Sequence, residues 1–534
     1  MCTTYRALVR RDTYRDSVEL MRVAAELELL AGVTRAALLM GTPANRAIME
    51  AAGLLQDEAA TAGPNDLVVA VSAADDASAN AAIATAEQLL ASQPTAPTGS
   101  AVERAPARTV AEGVAELPSA NLAMVSTPGT YATAEALKAL KRGLHVFLFS
   151  DNVSVADEIE LKRLGRQKGL LVMGPDCGTA ILDGVPLGFA NAVRRGRIGL
   201  VGASGTGLQQ VTCLIDRLGE GVSQAIGVGG HDLSEAVGGA MMLLGIELLT
   251  ADPETEVIVL VSKPPAESVA RRIFEAARES GKPVVVNFLG ADPALARAAG
   301  ALPASTLEDA ARVAVAVANG RMPAGGEVDA IDEGLAADAD EAHRGLRPDQ
   351  QLVRGLYSGG TLCSEATLLL RSLLGDDRFS AIDYGDDEYT VGRPHPMIDF
   401  RLRNEEIVAA AADSSTAVIL LDIVLGYGSH ADPAGAVTPA LERARQVASS
   451  AGRPLTLVAS VCGTETDPQG LAAQEAALRA AGVLLAPSNA QAVRLAARVV
   501  TGGTANGAAG RPSHEARGQA VAASVGMGGG EGAS

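Results

Sequence analysis

Residues 198–207, which read I-G-L-V-G-A-S-G-T-G, combine the residue types that bind an anion. An apolar run ends in glycines, with the hydroxyls of Ser204 and Thr206 among them, and a helix is predicted to follow. A strand that turns into a helix presents free backbone N–H groups and the positive end of the helix dipole. Gly205 and Gly207 allow the backbone to approach a ligand closely. The segment therefore predicts a phosphate or carboxylate site.

A second glycine-rich turn, at residues 227–234 (G-V-G-G-H-D-L-S), follows the next predicted strand. The carboxyl ends of parallel strands meet at one edge of a sheet, so we expect Gly229 and Gly230 to extend the phosphate site. His231 is a candidate general acid or base, with a solvated loop histidine as the alternative. Lys263 follows another strand and is a candidate source of positive charge, with an exposed lysine as the alternative.

Two further glycine turns follow predicted strands and carry small polar side chains. The turn at 40–45 (M-G-T-P-A-N) opens a helix and can hold a phosphate or an adenylate group; a capped structural turn is the alternative. The turn at 174–179 (G-P-D-C-G-T) lies at a domain edge, where a tight structural reversal is the alternative. We assign a nucleotide- or CoA-like site to Gly41, Thr42, Asn45, Pro175, Asp176 and Cys177.

A dense polar stretch occupies residues 383–396. Arg393 can clamp a carboxylate or phosphate through two hydrogen bonds, and His395 lies between two prolines that stiffen the chain, so both are candidate catalytic residues. The four acids of the stretch favour either a hard cation or a solvated acidic loop, and we assign no metal site. Residues 463–468 (G-T-E-T-D-P) form another turn at a strand end.

The composition limits the partners of the chain. It has 534 residues, 48% hydrophobic residues, no tryptophan and a formal net charge of −19 without a basic cluster. This acidity argues against nucleic acid and anionic membranes as partners, and the turns described above suit a small-molecule substrate. The five cysteines are scattered, which argues against zinc and disulfides. Neither a signal peptide nor an apolar run of about 18 residues is visible, so we expect a soluble cytoplasmic protein.

Short apolar runs alternate with helical patterns through most of the chain, which predicts parallel α/β domains. We expect a domain over 1–195, a second over 196–320, an acidic linker over 321–350, a third domain over 351–500 and a disordered Gly/Ala-rich tail over 501–534. The predicted strands include 36–40, 67–71, 122–126, 146–149, 170–173, 198–201, 223–226, 257–261, 284–288, 381–384, 417–423, 456–460 and 483–486. Residues 92–106 are predicted to form a flexible excursion.

The order of these motifs resembles a known family. Residues 123–315 are similar to the α-subunit of succinyl-CoA synthetase, whose Gly-Pro-Asn-Cys turn and Ser-Gly-Thr loop match the turns at 174–177 and 201–206. The third domain resembles the carboxy-terminal ligase domain of the β-subunit. Closer still, the chain to about residue 500 resembles the FdrA family. The motifs that carry this resemblance are MGTPAN (40–45), FSDNV (149–153), MGPDCGT (173–179), GASGTG (202–207), SKPPAE (262–267), YTVGRPHPMID (389–399) and GTETDP (463–468).

The resemblance implies a multi-domain α/β fold, with a Rossmann-like CoA-binding-type domain followed by flavodoxin-like ligase domains. In the synthetase, a histidine in a Gly-His-Ala context carries the phosphoryl group, and a glutamate after a preceding strand supports it. Residues 298–301 of this chain read Ala-Ala-Gly-Ala instead, and Lys263 takes the place of the acid. An ATP-grasp domain is not visible either. We therefore expect no phosphohistidine relay.

The FdrA resemblance implies a subunit of an oxamate carbamoyltransferase complex in allantoin and purine breakdown, which converts oxalurate and phosphate into oxamate and carbamoyl phosphate. It implies phosphate as a substrate and partner subunits in a hetero-oligomer. No cofactor is firmly required, and CoA or a nucleotide stays open. Phosphate attack on a carbamoyl carbon needs an anion site with hydrogen-bond donors, which residues 204–207 supply. The alternatives are an acid–CoA ligase that binds CoA at residues 41–45 and a non-catalytic scaffold subunit.

Overall fold

The computed structural model describes residues 4–15, 17–91, 107–321, 331, 333–390 and 394–503. The predicted excursion at 92–106 and residues 504–534 of the predicted tail lie outside the described residues. Within the described part of the chain, no helix has both the length and the apolar character needed to cross a bilayer.

The first unit is a small antiparallel sheet with helices. Its elements are β1 (Thr4–Arg10), α1 (Ser17–Glu28), β2 (Val33–Met40), α2 (Pro43–Ala51), a 3₁₀ helix (Asp57–Thr61), β3 (Leu67–Ala73) and α3 (Asp76–Ala91). The strand order is β1-β3-β2, and β3 runs antiparallel to both neighbours, which is a split β-α-β arrangement. Helix α3 buries Ala79, Ala82 and Ala86 because their spacing of three and four residues places them on one face.

A second, parallel sheet follows. Its elements are α4 (Val110–Glu116), β4 (Leu122–Val125), α5 (Gly129–Lys141), β5 (His145–Leu148), α6 (Val155–Lys168) and β6 (Val172–Met173), with the strand order β4-β5-β6. The single Rossmann-like domain predicted over 1–195 therefore differs from the observed topology, since these residues contribute strands to three sheets. Strands do lie at 36–40 and 67–71 as predicted, but they pair antiparallel, because a buried apolar run does not encode the direction of its neighbour.

The third sheet has seven strands and a flavodoxin-like core. Its elements are β7 (Thr179–Leu182), β8 (Val185–Gly188), β9 (Arg195–Gly202), α7 (Gly205–Arg217), β10 (Val222–Gly227), α8 (Ala240–Ala251), β11 (Val257–Ser262), α9 (Glu267–Glu279), β12 (Val284–Phe288), α10 (Pro293–Ala298), β13 (Leu302–Pro303) and α11 (Leu307–Ala318). The order is β13-β12-β11-β9-β10-β7-β8, in which β7 and β8 add an antiparallel hairpin to the β10 edge. The strand order reverses between β9 and β11, which makes their carboxyl ends the expected ligand position.

The fourth sheet repeats this design. Its unit comprises α12 (Glu333–Gly345), β14 (Leu352–Tyr357), α13 (Gly360–Leu374), a 3₁₀ helix (Asp376–Arg378), β15 (Phe379–Asp383), α14 (Asp387–Thr390), α15 (Arg401–Ala412), β16 (Thr416–Val424), α16 (Pro433–Ser450), β17 (Thr456–Cys462), α17 (Leu471–Ala480), β18 (Val483–Ala486) and α18 (Asn489–Thr501). The five strands are parallel in the order β15-β14-β16-β17-β18, with the switch point between β14 and β16. The flavodoxin-like ligase-type units implied by the sequence are confirmed.

The predicted acidic linker contains a helix that packs on the last unit. In α12, Ala339 is fully buried, and Asp340 forms an ion pair of 2.7 Å with Arg498 of α18. The segment predicted as an acidic linker over 321–350 thus contains an ordered helix over residues 333–345. Residues 322–330 and 332 lie outside the described residues.

The turn at 463–468 joins the two flavodoxin-like units. The side-chain amide of Asn191 donates to Asp467 Oδ2 at 2.8 Å and to the Leu425 carbonyl at 3.0 Å. The Ala192 N–H donates to Asp467 Oδ1 at 2.7 Å, and Thr464 donates its hydroxyl back to the Ala192 carbonyl at 2.6 Å. A single hydrophobic core also runs through both units. The motif therefore acts as an interdomain clamp.

Glu365 of α13 is expected to make the free energy of unfolding depend on pH. Its buried carboxylate accepts hydrogen bonds from the Leu307 N–H at 2.7 Å and from Asn489 Nδ2 at 2.8 Å. Burial raises the pKa of Glu365 from 4.5 to about 7. Between these two values the folded state holds a proton that the unfolded chain has released, so stability falls as the pH rises from about 4.5 to about 7.

Glu365→Gln is expected to remove this fall, because glutamine mimics the protonated carboxyl. In urea unfolding, the advantage of the variant over the wild type should grow by about 2 kcal/mol between pH 5 and pH 8. Glu275→Gln, on an exposed position of α9, is the matched control and should follow the wild type. The same pH dependence in Glu365→Gln and wild type would contradict the assignment.

Candidate anion site

The first turns of helices α7 and α13 meet at the junction of the two flavodoxin-like units. Ser204 is the N-cap of α7, and its hydroxyl accepts the Gly207 N–H at 3.0 Å. The same hydroxyl lies 2.6 Å from the Thr361 hydroxyl of α13. The Thr361 N–H donates to Thr206 Oγ1 at 3.3 Å. We call residues 204–207 together with 358–361 the cradle.

Glycines allow the two helix starts to approach so closely. A Cβ on Gly359 would lie 2.9 Å from Thr206 Cγ2 and 3.0 Å from Asp422 Oδ2. A Cβ on Gly360 would lie 2.5 Å from Asp383 Oδ2. Helix α7 follows β9 and helix α13 follows β14, and the strand order of each sheet reverses beside that strand. The topology therefore directs both ligand-binding edges toward one point.

The cradle offers unpaired backbone donors. In the described part of the chain, no protein acceptor is recorded for the N–H groups of Gly205, Thr206 and Gly360. First-turn N–H groups have no partner within their own helix, and here the positive ends of two helix dipoles are added together. The arrangement suits one small anion of high charge, such as phosphate.

Further residues surround the cradle in a chain of contacts. A Cβ on Gly205 would lie 3.5 Å from Thr179 Oγ1, and the neighbouring Gly178 carbonyl accepts the Phe189 N–H at 2.7 Å. The Phe189 ring packs on the ring of His395, with centroids 5.6 Å apart. His395 Nε2 would in turn lie 2.7 Å from a Cβ on Gly385, which follows β15. The predicted residue His395 therefore lies beside the cradle.

His395 is a neutral hydrogen-bond donor in this position. Burial, and then the charge of Arg403, lowers the pKa of His395 to about 4. Its Nδ1 accepts the Met397 N–H at 3.2 Å, which leaves the proton on Nε2. Such a neutral imidazole can stabilise developing negative charge but does not act as a cation near pH 7.

A buried ion pair supports the α13 side of the cradle. Asp422 Oδ1 accepts the N–H and the hydroxyl of Ser358 at 2.8 and 3.0 Å, and Oδ2 accepts the Gly359 N–H at 2.8 Å. Arg403 donates to Asp422 Oδ1 at 2.8 Å, and both side chains are fully buried. The pair fixes the backbone that leads into α13, so Asp422 positions the cradle and does not form part of its open surface.

Lys263 and Asp383 supply opposite charges near the cradle. Lys263 follows β11 and is exposed; its charge lowers the pKa of Asp383 and of Cys363 on α13. Burial outweighs this effect and raises the pKa of Asp383 to about 6. The predicted residue Lys263 is therefore placed where it can balance the charge of a bound anion.

The predicted turns at 174–179 and 227–234 pack on each other. A Cβ on Gly229 would lie 2.5 Å from the Pro175 carbonyl oxygen, and one on Gly227 would lie 2.7 Å from Cys177 Sγ. Gly230 and Asp176 are exposed. The contacts of Gly229 are thus with the neighbouring turn and not with the two helix starts.

His231 belongs to a separate cluster. Its Nδ1 lies 3.5 Å from Glu158 Oε2, and its side chain is 69% exposed. Beneath it, Lys162 is fully buried and donates to Glu158, Asp232 and the Val228 carbonyl at 2.7, 2.9 and 2.8 Å. Asp232 also accepts the N–H groups at the start of α8. This cluster ties α6 to the 227–234 turn, so the turn has a structural role that the sequence did not reveal.

Cys177 is expected to react slowly with thiol reagents in the folded protein. It is only 3% exposed, and burial raises the pKa of its thiol to about 12. Because the thiolate is the reactive form, alkylation by iodoacetamide at pH 8 should be roughly 10³-fold slower than in urea. Mass spectrometry of the Cys177 peptide over time measures this ratio, and rapid labelling of the native protein would contradict it.

The turn at 40–45 is closed by its own side chains. Asn45 donates its side-chain amide to the Met40 carbonyl at 2.9 Å, and the Asn45 N–H donates to Thr42 Oγ1 at 3.2 Å as a cap of α2. A Cβ on Gly41 would lie 2.5 Å from the Gly63 carbonyl oxygen. These contacts fit the alternative of a capped structural turn. They also use the side chains of Thr42 and Asn45 within the turn, which leaves few polar groups to bind the nucleotide part of CoA.

One predicted site residue cannot be placed, and several residues of the anion site were not predicted as part of it. Arg393 lies outside the described residues. Residues 358–361 (S-G-G-T), Asp383 and Asp422 were not predicted as a site, although S-G-G-T repeats the strand–glycine–hydroxyl–helix pattern of residues 202–207. A comparison of the two turns by pattern would have indicated that the second belongs with the first.

Comparison with known protein families gives three matches. A model described as the CoA binding domain matches residues 193–290, and one described as CoA-ligase matches residues 356–499. The AllF heavy metal-associated domain matches residues 3–106. The fold and the cradle thus define an α/β protein of the acid–CoA-ligase-like class. The CoA-binding match falls on the unit with β9 to β13, downstream of the region 1–195 where the sequence placed that domain.

The chain belongs to the FdrA family. It is 40% identical over 515 residues to the uncharacterized protein YahF of Escherichia coli strain K12, an alignment that covers 93% of this chain and 98% of YahF.

More distant relatives share only part of the chain. The α-2 subunit of the mitochondrial ADP-forming succinate–CoA ligase of Trichomonas vaginalis is 29% identical over 180 residues, or 32% of this chain and 57% of that subunit. The α-subunit of the ADP-forming succinate–CoA ligase of Aquifex aeolicus is 30% identical over 190 residues, or 34% of this chain and 60% of that subunit. The chain thus spans less than two thirds of these ligase subunits. ATP citrate lyase from Methanothrix soehngenii, solved with citrate and coenzyme A, aligns over 74% of this chain and 84% of its own at 13% identity with a TM-score of 0.35.

The heavy metal-associated name of the first unit does not fit its residues. Residues 3–106 contain neither cysteine nor histidine, the side chains that bind soft and borderline metals. We therefore derive no metal chemistry for this unit.

Proposed function

We propose that this protein is a subunit of a carbamoyltransferase that converts oxalurate and phosphate into oxamate and carbamoyl phosphate. The observation that carries the proposal is the cradle, in which the hydroxyl oxygens of Ser204 and Thr361, at the starts of two helices, lie 2.6 Å apart. The AllF-type match of the first unit supports a place in allantoin-related metabolism.

The cradle holds phosphate as the attacking group. The free N–H groups of both helix starts, the Thr206 hydroxyl and one hydroxyl of the Ser204–Thr361 pair donate to its oxygens, while the other hydroxyl of the pair donates to its neighbour. Phosphate then lies at the carboxyl edges of both sheets, and Lys263 offsets its charge. A phosphate oxygen attacks the carbamoyl carbon, and the neutral His395 donates a hydrogen bond from its Nε2–H to the developing oxyanion without giving up the proton.

The region that would carry a phosphohistidine lacks the residue for it. Residues 293–298 form helix α10, which ends before Gly300, and no histidine lies in residues 289–305. A direct transfer to phosphate requires no such residue. This favours carbamoyl transfer over a relay through a phosphorylated side chain.

Partner subunits complete the proposed enzyme. The carbamoyl substrate must approach the cradle while water is excluded, because water competes with phosphate for the carbamoyl carbon. We propose that further subunits of a cytoplasmic hetero-oligomer supply this enclosure.

An acid–CoA ligase is the second candidate, favoured by the CoA-binding and CoA-ligase matches. A cradle for phosphate also suits an acyl phosphate intermediate. The closed turn at 40–45 and the missing histidine weigh against it.

One assay separates the candidates. The purified protein, alone and with candidate partner subunits, is incubated with oxalurate and phosphate, and carbamoyl phosphate is measured. Product supports the proposal, and dependence on the partners supports the hetero-oligomer. If the protein instead forms a thioester in a reaction that requires ATP and CoA, and makes no carbamoyl phosphate, the acid–CoA ligase function would replace the carbamoyltransferase proposal. Absence of both products in every combination would favour a scaffold subunit.

A further inference from the structure

Asp383 is an acidic side chain that lies against the first residue of α13, at the edge of the cradle. It ends β15, and its Oδ2 lies 2.5 Å from the position of a Cβ on Gly360, the first residue of α13. Its Oδ1 accepts the Gly385 N–H at 2.9 Å, which fixes the carboxyl without neutralising it. The side chain is partly buried and lies beside the start of α13.

The charged groups around Asp383 come from several elements. Asp422 on β16 and Asp386 on the following loop oppose its ionisation, while Lys263 after β11 favours it. His395 lies on the far side of Gly385. Burial is the largest effect and raises the pKa of Asp383 to about 6. This carboxyl next to the anion site thus keeps its proton up to about pH 6, well above the range of an exposed aspartate.

We propose that Asp383 is the proton-transferring residue of the cradle, an inference that rests on the proposed carbamoyl transfer. A phosphate oxygen forms a bond to the carbamoyl carbon, and the bond from that carbon to the amide nitrogen breaks. The nitrogen keeps the electron pair and takes the proton of Asp383, which gives oxamate. Asp383 regains a proton from the hydroxyl of the phosphate, which leaves as carbamoyl phosphate, so no other reactant is needed.

The proton that Asp383 holds explains how an acidic side chain can lie next to an anion site. An ionised carboxylate at the start of α13 would repel the phosphate that both helix starts attract. A protonated carboxyl donates a hydrogen bond instead, and it releases its proton only when charge develops on the leaving nitrogen.

Asp383→Asn tests the proposal in the full chain with its partner subunits. Asparagine keeps the acceptor for the Gly385 N–H and removes the proton. We expect kcat to fall roughly 100-fold and the decline of kcat/KM above about pH 6 to disappear. Asp383→Glu should retain that decline. Asp386→Asn, at an exposed neighbouring position, is the matched control and should retain the decline, moved slightly to lower pH because Asp386 opposes the ionisation of Asp383.

Sulfate binding supplies a readout that does not depend on oxalurate. The charge of sulfate is constant between pH 5 and pH 8, and its affinity for the wild type should fall about tenfold over that range as Asp383 ionises. The fall should be absent in Asp383→Asn and present in Asp386→Asn.

Equal pH dependence of sulfate binding in the wild type and Asp383→Asn would overturn the proposal, as would an unchanged kcat/KM profile. If the wild type makes no carbamoyl phosphate, the proposed function fails, and the sulfate titration alone decides whether Asp383 exchanges a proton beside the bound anion.

Discussion

Ser204→Ala and Thr361→Ala are each expected to weaken phosphate binding about 10- to 100-fold. One hydroxyl of the pair donates to the charged ligand and the other orients it through their mutual hydrogen bond, and hydrogen bonds to charged groups contribute about 1.5–3 kcal/mol. The double variant should lose less than the product of the two effects, because the hydroxyls contact each other at 2.6 Å and are not independent. Calorimetric titration with phosphate measures all three variants.

The control must account for the capping role of Ser204. Ser154 caps α6 in the same way, since its hydroxyl accepts the Asp157 N–H at 3.1 Å. Ser154→Ala should cost a similar amount of stability, about 1 kcal/mol, and leave phosphate affinity unchanged. Wild-type affinity in the Ser204→Ala/Thr361→Ala double variant would refute the cradle.

Asp422→Ala is expected to lower the free energy of unfolding by about 3–5 kcal/mol. The substitution leaves the fully buried Arg403 without its carboxylate and removes the acceptor of the Ser358 and Gly359 N–H groups. Urea unfolding followed by circular dichroism measures the loss. Phosphate affinity should fall as well, since the start of α13 is no longer fixed.

If the unpaired charge of Arg403 is removed as well, part of the lost free energy of unfolding should be restored. Arg403→Met combined with Asp422→Asn keeps an acceptor for the backbone and leaves no buried ion, so this double variant should be more stable than Asp422→Ala. Glu267→Ala breaks an ion pair with Arg271 that is largely exposed, and it should change stability little. If Asp422→Ala unfolds at the same urea concentration as the wild type, the Asp422–Arg403 pair does not stabilise the fold as we expect.

Much of the fold was predictable because buried parallel strands are short runs of apolar residues in the sequence. The strands at 284–288 and 483–486 match β12 and β18 to the residue. Strand β1 was missed, because Arg6 and Arg10 interrupt its apolar pattern. Helix α12 was also missed, although Leu335, Ala339 and Ala342 recur at helical spacing, because the acids around them dominate the composition of the segment.

The site was only half predictable. The turn at 202–207 could be identified from its residue types, but each half of the cradle resembles an ordinary capped turn when it is read alone. The two halves are 157 residues apart in sequence, and their contact depends on how two sheets pack. The roles of Asp383 and Asp422 depend on the same packing. Neither position differs by type from the other acids of the chain.

The interdomain clamp has a consequence for the behaviour of the cradle on dilution. The resemblance to succinyl-CoA synthetase places the counterparts of the two flavodoxin-like units in separate α- and β-subunits. In this chain, covalent continuity and the Asn191–Asp467 contact make their association intramolecular, with an effective concentration in the millimolar range or above. Anion binding at the cradle is therefore expected to be independent of protein concentration down to nanomolar levels.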